Sequence, residues 1–136
     1  MTQTNRNNNL IPLAFEPVHA GFPSPADDFL DKSIDMNEFL IKHPAATYFV
    51  RAEGNSMINS GIFSGDILVV DKSLEPSNNS IVIASIDGEF TVKKFVKKNH
   101  SIFLKPSNGK FRKIQITKDC EFEIWGVVTF VIHQIK

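Results

Sequence analysis

Cysteine is almost absent from this sequence. Cys120 is the only one, which excludes an internal disulfide framework and fits a reducing compartment. Long apolar runs are missing as well, since none approaches the roughly 20 residues needed to span a bilayer. The stretch Met1 to Asn9 is polar and Asn-rich. It lacks the apolar core of a signal peptide, so a cytoplasmic location is expected. Neither sign of charge is in excess, because fifteen basic and fifteen acidic residues cancel. No general attraction to nucleic acid or membrane follows, and any such binding has to be local. His19, His43, His100 and His133 are scattered and show no ligand spacing, so neither a metal nor another cofactor is expected. There is no internal repeat and no heptad pattern.

With 42% hydrophobic and 22% charged residues, the chain reads as globular rather than disordered. Its 136 residues suit one domain of ordinary size. Residues 1–9 read as a disordered tail. Leu10 to Phe15 is a short apolar patch fit to lie as an extended arm. Pro17, Pro23 and Pro25 then hold Glu16 to Pro25 extended. That segment is either a linker or an exposed protease substrate, with the small dipeptide Ala20-Gly21 at its centre. Asp27 to Lys32 suggests a helical turn. Asp35-Met36-Asn37-Glu38 matches a capping box and predicts a short helix over Asp35 to Lys42, ended by His43-Pro44.

From Thr47 the character changes. Thr47–Glu53, Asp66–Asp71, Ser80–Ile86, Glu89–Lys97, Ile102–Leu104, Ile114–Thr117 and Phe122–Ile135 are rich in β-branched and aromatic residues. Turn residues separate them, and Asp87-Gly88 is the clearest hairpin signal. The expectation is a mainly β domain, a curled antiparallel sheet or barrel-like fold.

Gly54-Asn55-Ser56-Met57 sits between an apolar run and a glycine-rich segment. A serine where a strand gives way to a tight turn has its hydroxyl at a rim, near backbone N–H groups, as a nucleophile requires. The same tetrapeptide is also an ordinary turn. Lys93 and Lys94 lie in an otherwise apolar strand. Burial lowers a lysine's pKa and makes it a competent base, whereas two solvated lysines on an edge strand merely deter pairing. Alternation puts the two on opposite faces and does not choose between them.

Together, Gly54-Asn55-Ser56-Met57, Gly65-Asp66 and Gly88 to Lys94 resemble the signature of the LexA/UmuD self-cleaving serine–lysine peptidases. Gly21 to Pro25, His43 to Val50 and Phe122 to Val128 point to the UmuD branch. The resemblance covers roughly Ala20 onward. It implies a curved, mostly β catalytic domain with Ser56 as nucleophile and Lys93 as general base, and it places the cut between Ala20 and Gly21. Backbone N–H groups of Ser56 and Met57 would hold the oxyanion. The chain would divide into an arm of residues 1–20 removed by self-cleavage, a linker and short helix over 21–45, and a peptidase-like β domain over 46–136. The 20 residues before Gly21 leave no room for a helix-turn-helix domain. The resemblance therefore implies the SOS response rather than repression. Its implied partners are a homodimer mate, a RecA–single-stranded-DNA filament and a UmuC-like Y-family polymerase, with no sequence-specific DNA binding.

Two other readings stay open. One is a non-catalytic interaction module on the same fold. The other is a single-stranded nucleic-acid-binding β-barrel, suggested by nine basic residues between Lys93 and Lys118 interleaved with Phe95, Phe103 and Phe111. Alternation favours a solvated hairpin whose phenylalanines face the core. Most of the twelve phenylalanines are expected inside.

Overall fold

The computed structural model describes residues 10–14, 17–18 and 30–136, with the side chains of 30–32 excepted. The tail of residues 1–9, most of the Pro-rich segment with Ala20 and Gly21, and Asp27 to Phe29 lie outside the described residues. The chain divides into two units, Met1–Lys42 and His43–Lys136.

In the first unit, strand β1 (Leu10–Ala14) pairs antiparallel with β2 (Leu30–Asp35). Pro12 is tolerated because a two-stranded ribbon has only edge strands. The helical turn expected over Asp27 to Lys32 is therefore corrected at Leu30 to Lys32, which are strand. Those residues find backbone partners distant in sequence, which no local pattern reveals. Helix α1 spans Met36–Leu40, and the Asp35 carboxylate accepts from the Asn37 N–H at 2.9 Å. The helix is thus shorter than expected, and its cap satisfies the second rather than the third helical N–H.

The second unit is a seven-stranded antiparallel sheet. In chain order its strands are β3 (Thr47–Arg51), β4 (Ile67–Asp71), β5 (Ile81–Ile86), β6 (Glu89–Lys98), β7 (Ser101–Lys105), β8 (Ile114–Ile116) and β9 (Phe122–Ile132). All seven coincide with the apolar runs read from the sequence. In space the order is β3-β4-β9-β5-β6-β7-β8. The sheet is not closed: β3 and the three-residue β8 are its free edges, which corrects the barrel-like alternative. Asp87 and Gly88 both have positive φ, 50° and 85°, as a type I′ hairpin requires.

The core lies on both faces. Ala52, Met57, Ile62, Leu68, Val70 and Ile83 pack on one side. Val82, Ala84, Phe95 and Leu104 pack on the other. Central strands with two covered faces read as continuous apolar runs, as in Leu68-Val69-Val70. Among the described phenylalanines only Phe95 is buried; Phe39, Phe49, Phe63, Phe90 and Phe111 are each more than 40% exposed. The expectation that most phenylalanines are core is corrected.

Strand β9 joins the two halves and bulges as it does so. Ile83 pairs with Gly126 and Ala84 with Ile124, which leaves Trp125 unpaired. The freed Trp125 carbonyl accepts from Tyr48 Oη at 2.9 Å, and its indole Nε1 donates to Ser85 Oγ at 3.1 Å. The β4 end-residues are fixed by carboxylates. Asp66 accepts from the Phe63 N–H and pairs with His133 at 2.5 Å; Asp71 accepts from Ser73 N and Oγ and pairs with His43 at 2.6 Å. The Ser73 hydroxyl and His43, opposed by burial, hold the Asp71 carboxyl below the usual range. For Asp66, burial works upward, but the Phe63 N–H and His133 outweigh it.

Two outcomes are expected. A Cβ on Gly126 would lie 2.6 Å from Val70 Cγ1 and 3.1 Å from the Asp71 carbonyl oxygen. Gly126→Ala should therefore cost about 1–3 kcal/mol in urea unfolding, and an unchanged midpoint would refute this packing. Carboxyls with lowered folded pKa contribute fully above their unfolded value of about 3.9, and that contribution is lost as pH falls through the folded value. Asp71→Asn should flatten the acid limb of a stability–pH curve below about pH 4; a limb parallel to that of the parent protein would count against it.

Candidate active site

After β3 the backbone enters a turn at Gly54, whose φ of 91° suits glycine. The Gly54 N–H donates to Ser64 Oγ at 3.2 Å. Met57, 1% exposed, plugs the core just beyond the turn. It acts as an anchor: a buried side chain at one position fixes the half-buried Ser56 beside it. The loop between β7 and β8 braces the same turn. The Ser107 N–H donates to the Ser56 carbonyl at 2.7 Å, the Asn59 N–H to the Ser107 carbonyl at 2.7 Å, and Asn108 Nδ2 to the Asn55 carbonyl at 2.8 Å. Ser60 Oγ and Ser107 Oγ also bond to each other. Among the described residues, the N–H groups of Ser56 and Met57 have no acceptor and are free to donate to a ligand.

Strand β6 brings Lys93 to this turn. Its Nζ lies 3.0 Å from Ser56 Oγ, 2.7 Å from Thr91 Oγ1 and 3.1 Å from the Val92 carbonyl oxygen. Three oxygen acceptors match the three N–H bonds of an ammonium, yet desolvation by burial pushes the Lys93 pKa below the ordinary lysine value. In the neutral amine, two N–H bonds remain for Thr91 and Val92, and the lone pair is left to accept from the Ser56 hydroxyl. Lys94, on the opposite face, takes no part.

The pair opens into a cleft of about 490 Å³ lined by Ala52, Gly54, Leu68, Ile83, Phe90 and Thr91 among others. Its walls are mainly apolar, and Phe90 stands at the rim, 65% exposed, with its ring 5.4 Å from that of Trp125. Such a cleft suits a main chain with small side chains and keeps the amine partly dry.

Ser56, Met57 and Lys93, singled out from the sequence, are thus brought together; Ala20 and Gly21 lie outside the described residues. Thr91 and the Ser107–Asn108 loop were not anticipated as parts of the site. Thr91 was legible as a same-face neighbour of Lys93 two residues away. Ser107 holds Ser56 through its backbone N–H, which leaves no trace in residue type.

A lowered lysine pKa also bears on stability. Between the folded value and about 10.4 the unfolded chain binds more protons, so stability should rise with pH across that window. Lys93→Met should unfold at higher urea than the parent protein at pH 7, with the difference shrinking toward pH 10. A difference independent of pH would show that the amine is not desolvated.

The Peptidase S24-like family model matches residues 12–129. The chain is 44% identical over 126 residues to Protein ImpA of Escherichia coli, covering 92% of this chain and 85% of ImpA. It is 46% identical over 125 residues to Protein SamA of Salmonella typhimurium, covering 92% and 86% of the two chains. The LexA repressor of Aeromonas hydrophila is 35% identical over 117 residues, 85% of this chain and 56% of the repressor. With a family match over most of its length and relatives at this identity, the chain belongs to the Peptidase S24-like family.

Proposed function

We propose that this protein is a self-cleaving serine–lysine peptidase that cuts its own Ala20–Gly21 bond. The observation that carries the reading is the 3.0 Å contact between Lys93 Nζ and Ser56 Oγ, made by an amine whose pKa is lowered. Neutral Lys93 accepts the Ser56 proton as Oγ attacks the Ala20 carbonyl carbon. The free N–H groups of Ser56 and Met57 stabilise the oxyanion. As the tetrahedral species collapses, the C–N bond to Gly21 breaks and the lysine ammonium protonates the departing amine. Water then hydrolyses the acyl–serine ester. Tethering raises the effective concentration of the bond, so a modest base suffices for one turnover.

The biological setting follows from the family resemblance. The protein acts in SOS mutagenesis, where a RecA–single-stranded-DNA filament stimulates the cut. The shortened chain, a homodimer, serves a UmuC-like Y-family translesion polymerase. The relatives ImpA and SamA, alike over nearly the whole chain, support this placement.

The test is mildly alkaline incubation of the pure protein followed by intact-mass measurement. Fragments 1–20 and 21–136 should appear, at a rate rising with pH as Lys93 loses its proton. Lys93→Ala should slow the reaction by about 10²–10⁴-fold, and Ser56→Ala should abolish it. A chain that stays intact at every pH, and also with a RecA filament, would leave a peptidase fold used only for binding.

A further inference from the structure

Outside the catalytic cleft, a second concavity of about 510 Å³ lies over β6, β7 and the loop that follows. Lys94, Lys105 and Lys113 line it together with Asn79, Asn108 and Phe111. Lys94 and Lys105 are direct register partners across β6 and β7, an arrangement in which like charges oppose one another and destabilise the sheet. No acidic residue lines this groove, and none occurs anywhere between Lys93 and Lys118. Among the described residues the ion pairs within 4 Å join histidines to aspartates and involve no lysine. In a chain of zero net charge, positive charge is therefore concentrated here without local compensation.

The aromatic residues of this lobe depart from the core pattern. Phe95 is buried, but Phe103 belongs to the other face and carries Lys113 Nζ 4.8 Å from its ring centre. Phe111 lines the groove and is 48% exposed. The expectation that the three phenylalanines face the core is corrected for Phe103 and Phe111. Lysines converging beside an exposed ring form the combination that binds a phosphate backbone and stacks a base.

We infer that this groove binds single-stranded nucleic acid without sequence preference, with Lys94, Lys105 and Lys113 on successive phosphates and Phe111 against a base. An unpaired strand fits because its base faces are open to stacking, whereas a duplex hides them. The assignment is independent of the serine–lysine pair.

Fluorescence anisotropy of the full chain with labelled oligodeoxythymidine tests it. Binding should be saturable, and its logarithm should fall against log salt with a slope of about −2, as three phosphate contacts on a single strand imply. The variant carrying Lys105→Glu and Lys113→Glu should lose about tenfold or more in affinity and show a shallower slope. Phe111→Ala should weaken binding by about 5- to 150-fold, the loss of one stacked base, while keeping the slope. Lys136→Glu, remote from the groove, should bind as the parent does, and unchanged thermal unfolding would show that each variant is folded. The assignment is overturned by absence of binding at low salt, or by a double reversal without effect. Competition by duplex DNA as effective as by single strand would also overturn it. Displacement by polyglutamate as effective as by the oligonucleotide would instead identify the groove as a site for acidic protein segments.

Discussion

One amine kept partly out of water organises this domain. A solvated Lys93 would be a cation with no lone pair to offer; a fully buried one would lack acceptors and strain the fold. The structure holds it between these limits. Apolar walls from β3, β4 and β5 withdraw water from one side, while Thr91, the Val92 carbonyl and Ser56 supply oxygen atoms on the other. Everything that positions Ser56 serves the same end. The buried Met57 anchor and the Ser107–Asn108 brace hold the hydroxyl where the lone pair can reach it. Orienting Ser56 through main-chain hydrogen bonds leaves its hydroxyl free to meet the amine.

Much of the β architecture was legible because strand residues and turn residues segregate cleanly after Thr47. Asp87-Gly88 announced its hairpin through a residue pair that tolerates positive φ. The next hairpin did not. Asn99 and His100 turn with φ of 51° and 66° and no glycine, a conformation that tertiary pairing of Lys98 with Ser101 imposes. Leu30 to Asp35 escaped notice for a related reason, since its strand character depends on a partner elsewhere in the chain. Alternation separated Lys93 from Lys94 but could not say which face meets the serine. That depends on register: Val82, wholly buried, stands opposite Lys93. The same limit hid the placement of Phe103, because period-two patterns assign residues to faces without saying which face is covered.

Strand β4 shows how polar groups delimit an apolar element. Its interior, Leu68 to Val70, is inaccessible to solvent, and Asp66 and Asp71 close it at each end. Each carboxylate satisfies a turn N–H and reaches a histidine far away in sequence. Buried carboxylates bonded in this way fix where the strand begins and stops, and so where the preceding Ser56 turn begins its approach.

The sheet order carries a further consequence, one of timing. Ser56 belongs to the half built on β3 and β4, and Lys93 to the half built on β5 to β8. Within the sheet these halves meet only through β9, which lies between β4 and β5 although it is the last strand in sequence. A chain emerging from the ribosome therefore carries Ser56 and Lys93 on two separate pieces of sheet until β9 has been made and inserted. If the chain cuts itself as proposed, this order delays the meeting of Ser56 and Lys93 within one sheet until the last strand is in place, and so protects the protein during its own synthesis.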